Sequence, residues 1–125
     1  MTGNEYQRLA MRTNDGRSLQ RMSNVMVEYE DKADVASLIM GCFGLAGEAG
    51  ELIDLFKKWL FHEKPLDEDH AKKELGDCLW YIAEIAYCFG WDLDEVMQMN
   101  NDKLIARYPE GFSADLSNHR KDGDI

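Results

Sequence analysis

Two segments of the chain repeat apolar residues every three or four positions, and a short polar turn joins them. The first segment covers residues 35–61 and the second covers residues 67–90. This spacing places apolar side chains on one face of a helix, whereas a half-buried strand would alternate apolar and polar residues. Pro65, in the turn HEKPLDED, is a residue that ends helices. The pattern therefore predicts two long helices that form an antiparallel hairpin.

Shorter helical signals lie on both sides of this hairpin. Residues 4–13 favour a helix with Asn4 as its cap, and Asp92 is expected to cap a helix over residues 93–108. Residues 14–33 carry mixed charges and are interpreted as a connection of uncertain structure. No alternating apolar pattern of useful length predicts a strand. The expected fold is therefore all-α, a helical bundle of four to five helices.

The length of the chain, 125 residues, suits a single domain, and 45% of the residues are hydrophobic. We expect one domain over residues 1–113 and a polar, disordered tail over residues 114–125. Helical domains of this size often complete their core by association. Association with further copies of the chain is therefore expected.

Charge and cysteine usage restrict the surroundings in which the protein is expected to act. The formal net charge of −10 argues against binding to nucleic acid, because such binding needs a basic surface. No uninterrupted run of 18 apolar residues predicts a membrane span, and the N-terminal residues lack the apolar segment of a signal peptide. Cys42, Cys78 and Cys88 lack the spacing of a metal motif and are interpreted as reduced core residues. A cytoplasmic location is expected.

Each of the two long helices contains a pair of acids spaced three residues apart. Glu48 and Glu51 form the first pair, and Glu74 and Asp77 form the second. Residues at this spacing lie about 60° apart around a helix and within one turn. Antiparallel packing would bring the four carboxylates together, and their repulsion in an apolar groove calls for a counter-ion. An all-oxygen ligand set favours Mg²⁺ or Mn²⁺ over zinc or copper. The alternative, that these acids are ordinary solvated positions, is weakened by their apolar neighbours.

Glycine recurs every three residues in the first long helix, at Gly41, Gly44, Gly47 and Gly50. Each glycine inside a helix costs about 0.5–1 kcal/mol relative to alanine. The repetition predicts a compensating close approach to the backbone, either by a second helix or by a ligand.

Three segments, GLAGEAGELIDLFKK, KELGDCLWYIAEI and NNDKLIARYPEGF, closely resemble the MazG-like nucleotide pyrophosphohydrolases of the all-α NTP pyrophosphatase superfamily. The likeness covers about residues 34–113, in the order and spacing of the family. Gly47 takes the place of an acid that the family motif often contains, which leaves the number of metal ions open. The resemblance implies a Mg²⁺-dependent hydrolysis of nucleoside triphosphates to the monophosphate and pyrophosphate. It also implies a homodimer or homotetramer.

The resemblance also implies roles for individual residues. In the family, magnesium is bound by the acids that match Glu48, Glu51, Glu74 and Asp77. Either Glu48 or Glu51 is expected to orient or deprotonate the attacking water. Lys58 lies seven residues after Glu51, about 20° from it around the helix, and is expected to contact phosphate. Further contacts with the substrate are expected from Tyr81, Asn100, Lys103 and Arg107.

Three functions compete on this sequence. The first is a pyrophosphohydrolase that removes non-standard or surplus nucleotides. The second keeps the fold but narrows the substrate, because relatives act on dUTP, dCTP or phosphoribosyl-ATP. The third is a catalytically silent nucleotide-binding or dimerisation module, which ranks below the enzymes because all four matching acids are present.

Overall fold

The computed structural model describes residues 1–120 and residue 123, and every regular element among them is a helix. The α-helices are, in chain order, α1 (Gly3–Ala10), α2 (Ser18–Glu28), α3 (Val35–Phe61), α4 (Glu68–Cys88), α5 (Leu93–Arg107) and α6 (Ala114–Asn118). A 3₁₀ turn at Met11–Thr13 follows α1. The all-α prediction is confirmed, although the described residues form six α-helices where four to five were expected.

Helices α3 and α4 pack against each other along their length and carry most of the tertiary contacts. The side chain of Asp34 accepts a hydrogen bond from the backbone N–H of Ser37 at 3.0 Å and begins α3. Asp67 begins α4 in the same way, through the N–H of His70 at 3.0 Å. Such caps satisfy N–H groups that the first helical turn leaves without partners. The predicted hairpin is confirmed.

Backbone hydrogen bonds close the hairpin at both ends. Glu63 has a φ of +53°, in the left-handed region, and reverses the chain after α3. The N–H of Lys64 then donates to the carbonyl of Lys58 at 3.2 Å, which places Lys64 against the end of that helix. At the opposite end, the N–H of Asp34 donates to the carbonyl of Cys88 at 3.3 Å. The start of α3 is therefore tied to the end of α4, so the two helices are antiparallel.

The glycines of α3 divide into two groups according to what lies beside them. A Cβ added at Gly41 would lie 3.0 Å from Cγ1 of Ile85, and one added at Gly44 would lie inside the Tyr81 ring. A Cβ added at either of the other two glycines would meet nothing within 4 Å. The predicted close approach of a second helix is therefore confirmed in the first half of α3. In the second half of α3, no side chain covers the backbone at Gly47 and Gly50, and both glycines line a cleft.

The cap of α1 differs from the sequence-based expectation. Thr2 takes the capping position, not Asn4. Its hydroxyl accepts a hydrogen bond from the N–H of Glu5, and the Glu5 carboxylate accepts one from the N–H of Thr2 at 2.6 Å. This reciprocal pair satisfies two backbone donors, whereas Asn4 lies within the helix and would satisfy neither.

Two segments for which no regular structure was predicted contain helices. The connection over residues 14–33 includes α2, and the first part of the predicted disordered tail forms α6. The hydroxyl of Ser113 caps α6 by accepting a hydrogen bond from the N–H of Leu116 at 3.3 Å. Of that tail, residues 121, 122, 124 and 125 lie outside the described residues.

The single chain buries little of its apolar surface. Among the described residues, the buried positions are Gly41, Ala71, Glu74, Cys78, Ala86 and Cys88, and no large side chain is fully buried. Two of the three cysteines occupy the predicted core. Cys42 is exposed, contrary to its expected core position.

By length and composition alone, α3 is long and apolar enough to cross a membrane, and 6% of its most apolar 18-residue window is buried in the single chain. One such helix is weak support for a membrane span, because an apolar core helix of a soluble protein passes the same test. The expectations of a cytoplasmic location and of no contact with membrane or nucleic acid stay predictions.

Candidate metal centre

Carboxylates from both helices of the hairpin converge near its middle. Glu48 of α3 and Glu74 and Asp77 of α4 each offer one oxygen, and these oxygens lie within 4.8 Å of one another. Two oxygens bound to one Mg²⁺ at 2.0–2.1 Å are at most about 4.2 Å apart. A single ion shared by all three oxygens would therefore require these side chains to move closer together. The structure brings together three of the four predicted metal ligands.

The electrostatics of this cluster favour a bound cation. Glu74 is 7% exposed and is the one buried charged residue in the part of the chain that the structure describes. Partial burial raises the pKa of the Glu48 carboxyl above its ordinary value, and the charge of Glu51 and a hydrogen bond to Glu74 raise it further. The charge of Asp77 acts in the same direction. Carboxylates that are close together and partly buried need a proton or a counter-charge. Because all of the donor atoms are oxygens, a hard divalent cation fits this need.

Glu51 does not belong to the converging set. Its side chain is exposed and faces a cleft of about 440 Å³ on the side of the cluster nearest the hairpin turn. We call this the turn-side cleft, and its lining residues are Gly47, Gly50, Glu51, Asp54, Leu55, Lys58, Lys64, His70 and Glu74. Glu51 therefore lies at the edge of the candidate centre, next to Glu74.

Three basic side chains, Lys58, Lys64 and His70, line the turn-side cleft. Nζ of Lys58 lies 2.5 Å from Oδ2 of Asp54, and Nζ of Lys57 lies 2.5 Å from the other carboxylate oxygen. These two hydrogen bonds lower the pKa of Asp54 to about 2. Lys58, predicted as a phosphate contact, is thus held beside the acidic cluster.

The sequence interpretation missed Lys64 and His70. Lys64 reaches the turn-side cleft because the chain reverses after α3, which no motif announces. The spacing of His70 four residues before Glu74 was a usable signal, because side chains at that spacing meet on a helix.

A second cleft, of about 320 Å³, lies on the opposite side of the cluster and is lined by Glu48, Asp77, Trp80 and Tyr81. We call this the aromatic cleft. The rings of Trp80 and Tyr81 meet edge to face, with centroids 5.0 Å apart and an interplanar angle of 89°. Aromatic side chains in such a position provide faces on which a nucleobase can stack. Tyr81, predicted to contact substrate, therefore lies beside two of the converging carboxylates.

The remaining predicted substrate contacts lie on α5, which packs sparsely against the hairpin in the single chain. Asn100 and Lys103 line a separate, largely apolar pocket of about 540 Å³ with Trp91. The guanidinium carbon of Arg107 lies 5.9 Å from the centroid of the Tyr108 ring. Contact between these three residues and a nucleotide stays a prediction.

Comparison with known proteins agrees with this geometry. The family model of the MazG nucleotide pyrophosphohydrolase domain matches residues 42–112, which include the converging carboxylates and both clefts. The Gene 37 protein of Mycobacterium phage L5 is 38% identical over 72 residues, which are 54% of this chain and 63% of that protein. The chain therefore spans less than two thirds of the length of this relative. No solved structure is significantly similar to the chain. Because the family model covers more than half of the chain, the protein belongs to the MazG nucleotide pyrophosphohydrolase family.

Proposed function

We propose that this protein is a Mg²⁺-dependent nucleoside triphosphate pyrophosphohydrolase, which converts a ribo- or deoxyribonucleoside triphosphate and water to the monophosphate and pyrophosphate. The observation that carries the proposal is the convergence of Glu48, Glu74 and Asp77 between a cleft with basic side chains and a cleft with aromatic ones. A nucleoside triphosphate has matching parts, an anionic phosphate chain and a flat base. Membership of the family supports the same class of reaction.

Glu48, Glu74 and Asp77 would hold Mg²⁺, and Mn²⁺ would substitute because it accepts the same oxygen ligands. When bound, the ion neutralises charge that builds on the phosphate oxygens and lowers the pKa of water.

Glu51, the remaining acid, is exposed at the edge of the cluster, and this position suits a role other than metal binding. In the proposed reaction, Glu51 orients a water towards the α-phosphorus and accepts its proton. A bond forms between the water oxygen and the α-phosphorus. The bond from that phosphorus to the bridging oxygen breaks, and pyrophosphate leaves with the electron pair.

Residues beside the cluster would position the substrate. Lys58 contacts the phosphate chain in the turn-side cleft, and Tyr81 and Trp80 pack against the nucleoside in the aromatic cleft. This orientation separates the charged and flat parts of the nucleotide along the hairpin. Asn100, Lys103 and Arg107 complete the proposed set of substrate contacts.

A homodimer or homotetramer is part of the proposal. Large apolar side chains of the hairpin remain exposed, among them Phe43 (75%), Phe61 (76%) and Leu79 (59%). The accessible surface of the chain is 10403 Å², whereas a compact monomer of 14.4 kDa is expected to expose about 6,800 Å². Association with further copies would remove this excess from water. Sedimentation equilibrium should therefore give two or four chain masses, and a stable monomer at micromolar concentration would contradict the assembly.

Incubation of the purified protein with Mg²⁺ and a panel of nucleotides tests the activity. The panel contains the common ribo- and deoxyribonucleoside triphosphates, dUTP and phosphoribosyl-ATP, and the products are identified by chromatography together with a pyrophosphate assay. We expect pyrophosphate and the monophosphate from at least one substrate, and no product in EDTA. The Asp77→Asn variant should lose activity by about 100-fold or more, because metal binding contributes several kcal/mol to such reactions.

The matched control is Asp69→Asn, which removes an acid of α4 whose side chain is 89% exposed. This variant should keep its activity. Release of inorganic phosphate in place of pyrophosphate, or no product from any nucleotide, would refute the proposed reaction.

A further inference from the structure

His70 makes a contact with the candidate metal centre that the proposed reaction does not use. Its Nε2 lies 2.6 Å from Oε1 of Glu74, one helical turn further along α4. The side chain of His70 is 50% exposed, whereas that of Glu74 is 9% exposed. A polar group at the surface therefore reaches inward to the buried member of the carboxylate cluster.

The contact has a physical consequence for Glu74. A carboxylate has two oxygens, and a buried one without hydrogen-bond partners is costly. His70 engages one oxygen and thereby restricts rotation of the carboxylate about its last bond. Metal sites commonly use such outer partners to orient the ligands, and their loss weakens metal binding.

We infer that His70 is a positioning residue of the metal centre: it donates its Nε2–H to Oε1 of Glu74 and holds that carboxylate in the orientation that meets Glu48 and Asp77. The inference rests on the proposed function in one respect, the assignment of Glu74 as a metal ligand. His70 acts through Glu74 and is not itself a ligand.

A second histidine of the chain shows why the location of the pair matters. Nδ1 of His119, the residue that follows α6, lies 3.0 Å from Oδ1 of Asp115, which is also four residues away. Both of these side chains are more than three-quarters exposed, at 77% and 82%. Pairs of this kind contribute little to stability in solvent. His119 therefore provides a matched control with the same chemistry and spacing but no buried acid.

Binding of Mn²⁺ to the metal-free protein tests the inference, with free Mn²⁺ measured by electron paramagnetic resonance at pH 8 and without nucleotide. The His70→Ala variant should raise the Kd for Mn²⁺ about 10-fold or more, as expected for loss of a partner that orients a ligand. In His70→Gln, the amide N–H reaches the same carboxylate and should restore most of the affinity. His119→Ala should bind Mn²⁺ as the wild type does.

Thermal melting of the metal-free variants separates positioning from a purely structural role. A lower melting temperature of His70→Ala with an unchanged Kd for Mn²⁺ would overturn the inference. A loss of affinity that His70→Gln does not restore would also overturn it. If His70→Ala fails to fold, the Kd for Mn²⁺ is compared between His70→Gln and His70→Asn. The shorter side chain of asparagine is not expected to reach Glu74, so His70→Asn should bind Mn²⁺ more weakly. Equal Kd values for these two variants would then reject the positioning role.

This test is independent of catalysis. A wild-type protein that binds Mn²⁺ in a His70-dependent manner but releases no pyrophosphate would refute the proposed function alone. A protein that turns over nucleotides but binds Mn²⁺ equally well without His70 would refute this inference alone. A wild-type protein that binds no Mn²⁺ would overturn both.

Discussion

The ring of Tyr81 lies directly over the backbone of Gly44, so that a Cβ added to the glycine would be 2.2 Å from both Cε1 and Cζ of the ring. Such a distance is not tolerated between real atoms. Gly44 lies one helical turn before Glu48, and Tyr81 lies one turn after Asp77. The contact therefore sets the separation of α3 and α4 beside the carboxylate cluster, and a change at Gly44 is expected to affect the candidate metal centre.

The Gly44→Ala variant should be less stable than the wild type by about 1–3 kcal/mol, because the Tyr81 ring has to move out of a packed contact. It should also bind Mn²⁺ more weakly, since the helices separate at the level of the ligands. Gly76→Ala is the control, because a Cβ there meets nothing within 4 Å. It should gain about 0.5–1 kcal/mol from helix propensity. Urea unfolding monitored by circular dichroism measures both, and equal stability of Gly44→Ala and wild type would contradict the packing argument.

The pKa of Glu48 predicts how the metal-free protein responds to pH. A carboxyl whose pKa is raised by folding binds its proton more tightly in the folded state than in the unfolded state. The stability that this proton contributes is complete below the ordinary glutamate pKa of 4.5 and is lost as the pH rises through the raised value. In EDTA, the free energy of unfolding of the wild type should therefore fall above pH 4.5 more steeply than that of Glu48→Gln.

Urea unfolding at a series of pH values, with EDTA or with Mg²⁺, measures this effect. Mg²⁺ should remove the decline in the wild type, because the ion stabilises the ionised carboxylates. It should have little effect on Glu48→Gln. Parallel pH profiles for the two proteins in EDTA would show that protonation of Glu48 does not cause the change of stability with pH.

Glu51 and Asp77 should differ in what their removal changes. Glu51 is outside the group of converging oxygens, whereas Asp77 belongs to it. Glu51→Gln should lower kcat and leave the Kd for Mn²⁺ closer to the wild-type value than Asp77→Asn does. Steady-state kinetics and Mn²⁺ binding measure the two effects separately. An equal loss of Mn²⁺ affinity in both variants would instead make Glu51 a fourth ligand, as the family resemblance implies.

Lys58 and Lys57 provide a paired test of the turn-side cleft. Both lysines bind the carboxylate of Asp54, but Lys58 alone of the two lines the cleft. Lys58→Ala should raise the KM for the preferred triphosphate by about 10-fold to 100-fold, because a charge-assisted hydrogen bond is worth about 1.5–3 kcal/mol. Lys57→Ala should change KM little. A similar increase in both variants would indicate that the loss of Asp54 pairing, and not contact with phosphate, is responsible.

Much of the hairpin could be predicted from the sequence, because helical periodicity and capping are local properties. Asp92 was expected as a cap, and it accepts a hydrogen bond from a backbone N–H in the first turn of its helix. Asp34 and Asp67 do the same for α3 and α4, at the positions where the helical pattern begins. The cap of α1 was assigned to Asn4, because asparagine near the start of a helix fits the preference for polar cap residues as well as threonine does. Only the observed pairing of Thr2 with Glu5 decides between them.

The acidic residues of the candidate site could be identified from the sequence, but their geometry could not. Spacing alone indicated that four acids would face one another, whereas the structure brings three oxygens together and leaves Glu51 at the edge. The sequence carried a signal for His70 but could not decide its role. The spacing of His70 and Glu74 is visible in the sequence, but so is the equal spacing of Asp115 and His119 at the surface. Burial distinguishes the two pairs, and burial depends on a second helix.

The sequence by itself determined that the chain is helical, where its main hairpin begins and ends, and which acids belong to one family motif. These features depend on interactions between residues a few positions apart. Only the tertiary structure decided which carboxylates converge, which glycines meet a neighbouring helix, and which basic side chains face the cleft. Those outcomes depend on how α3 and α4 are rotated about their axes. That rotation is set by contacts across the interface, such as the one between Gly44 and Tyr81.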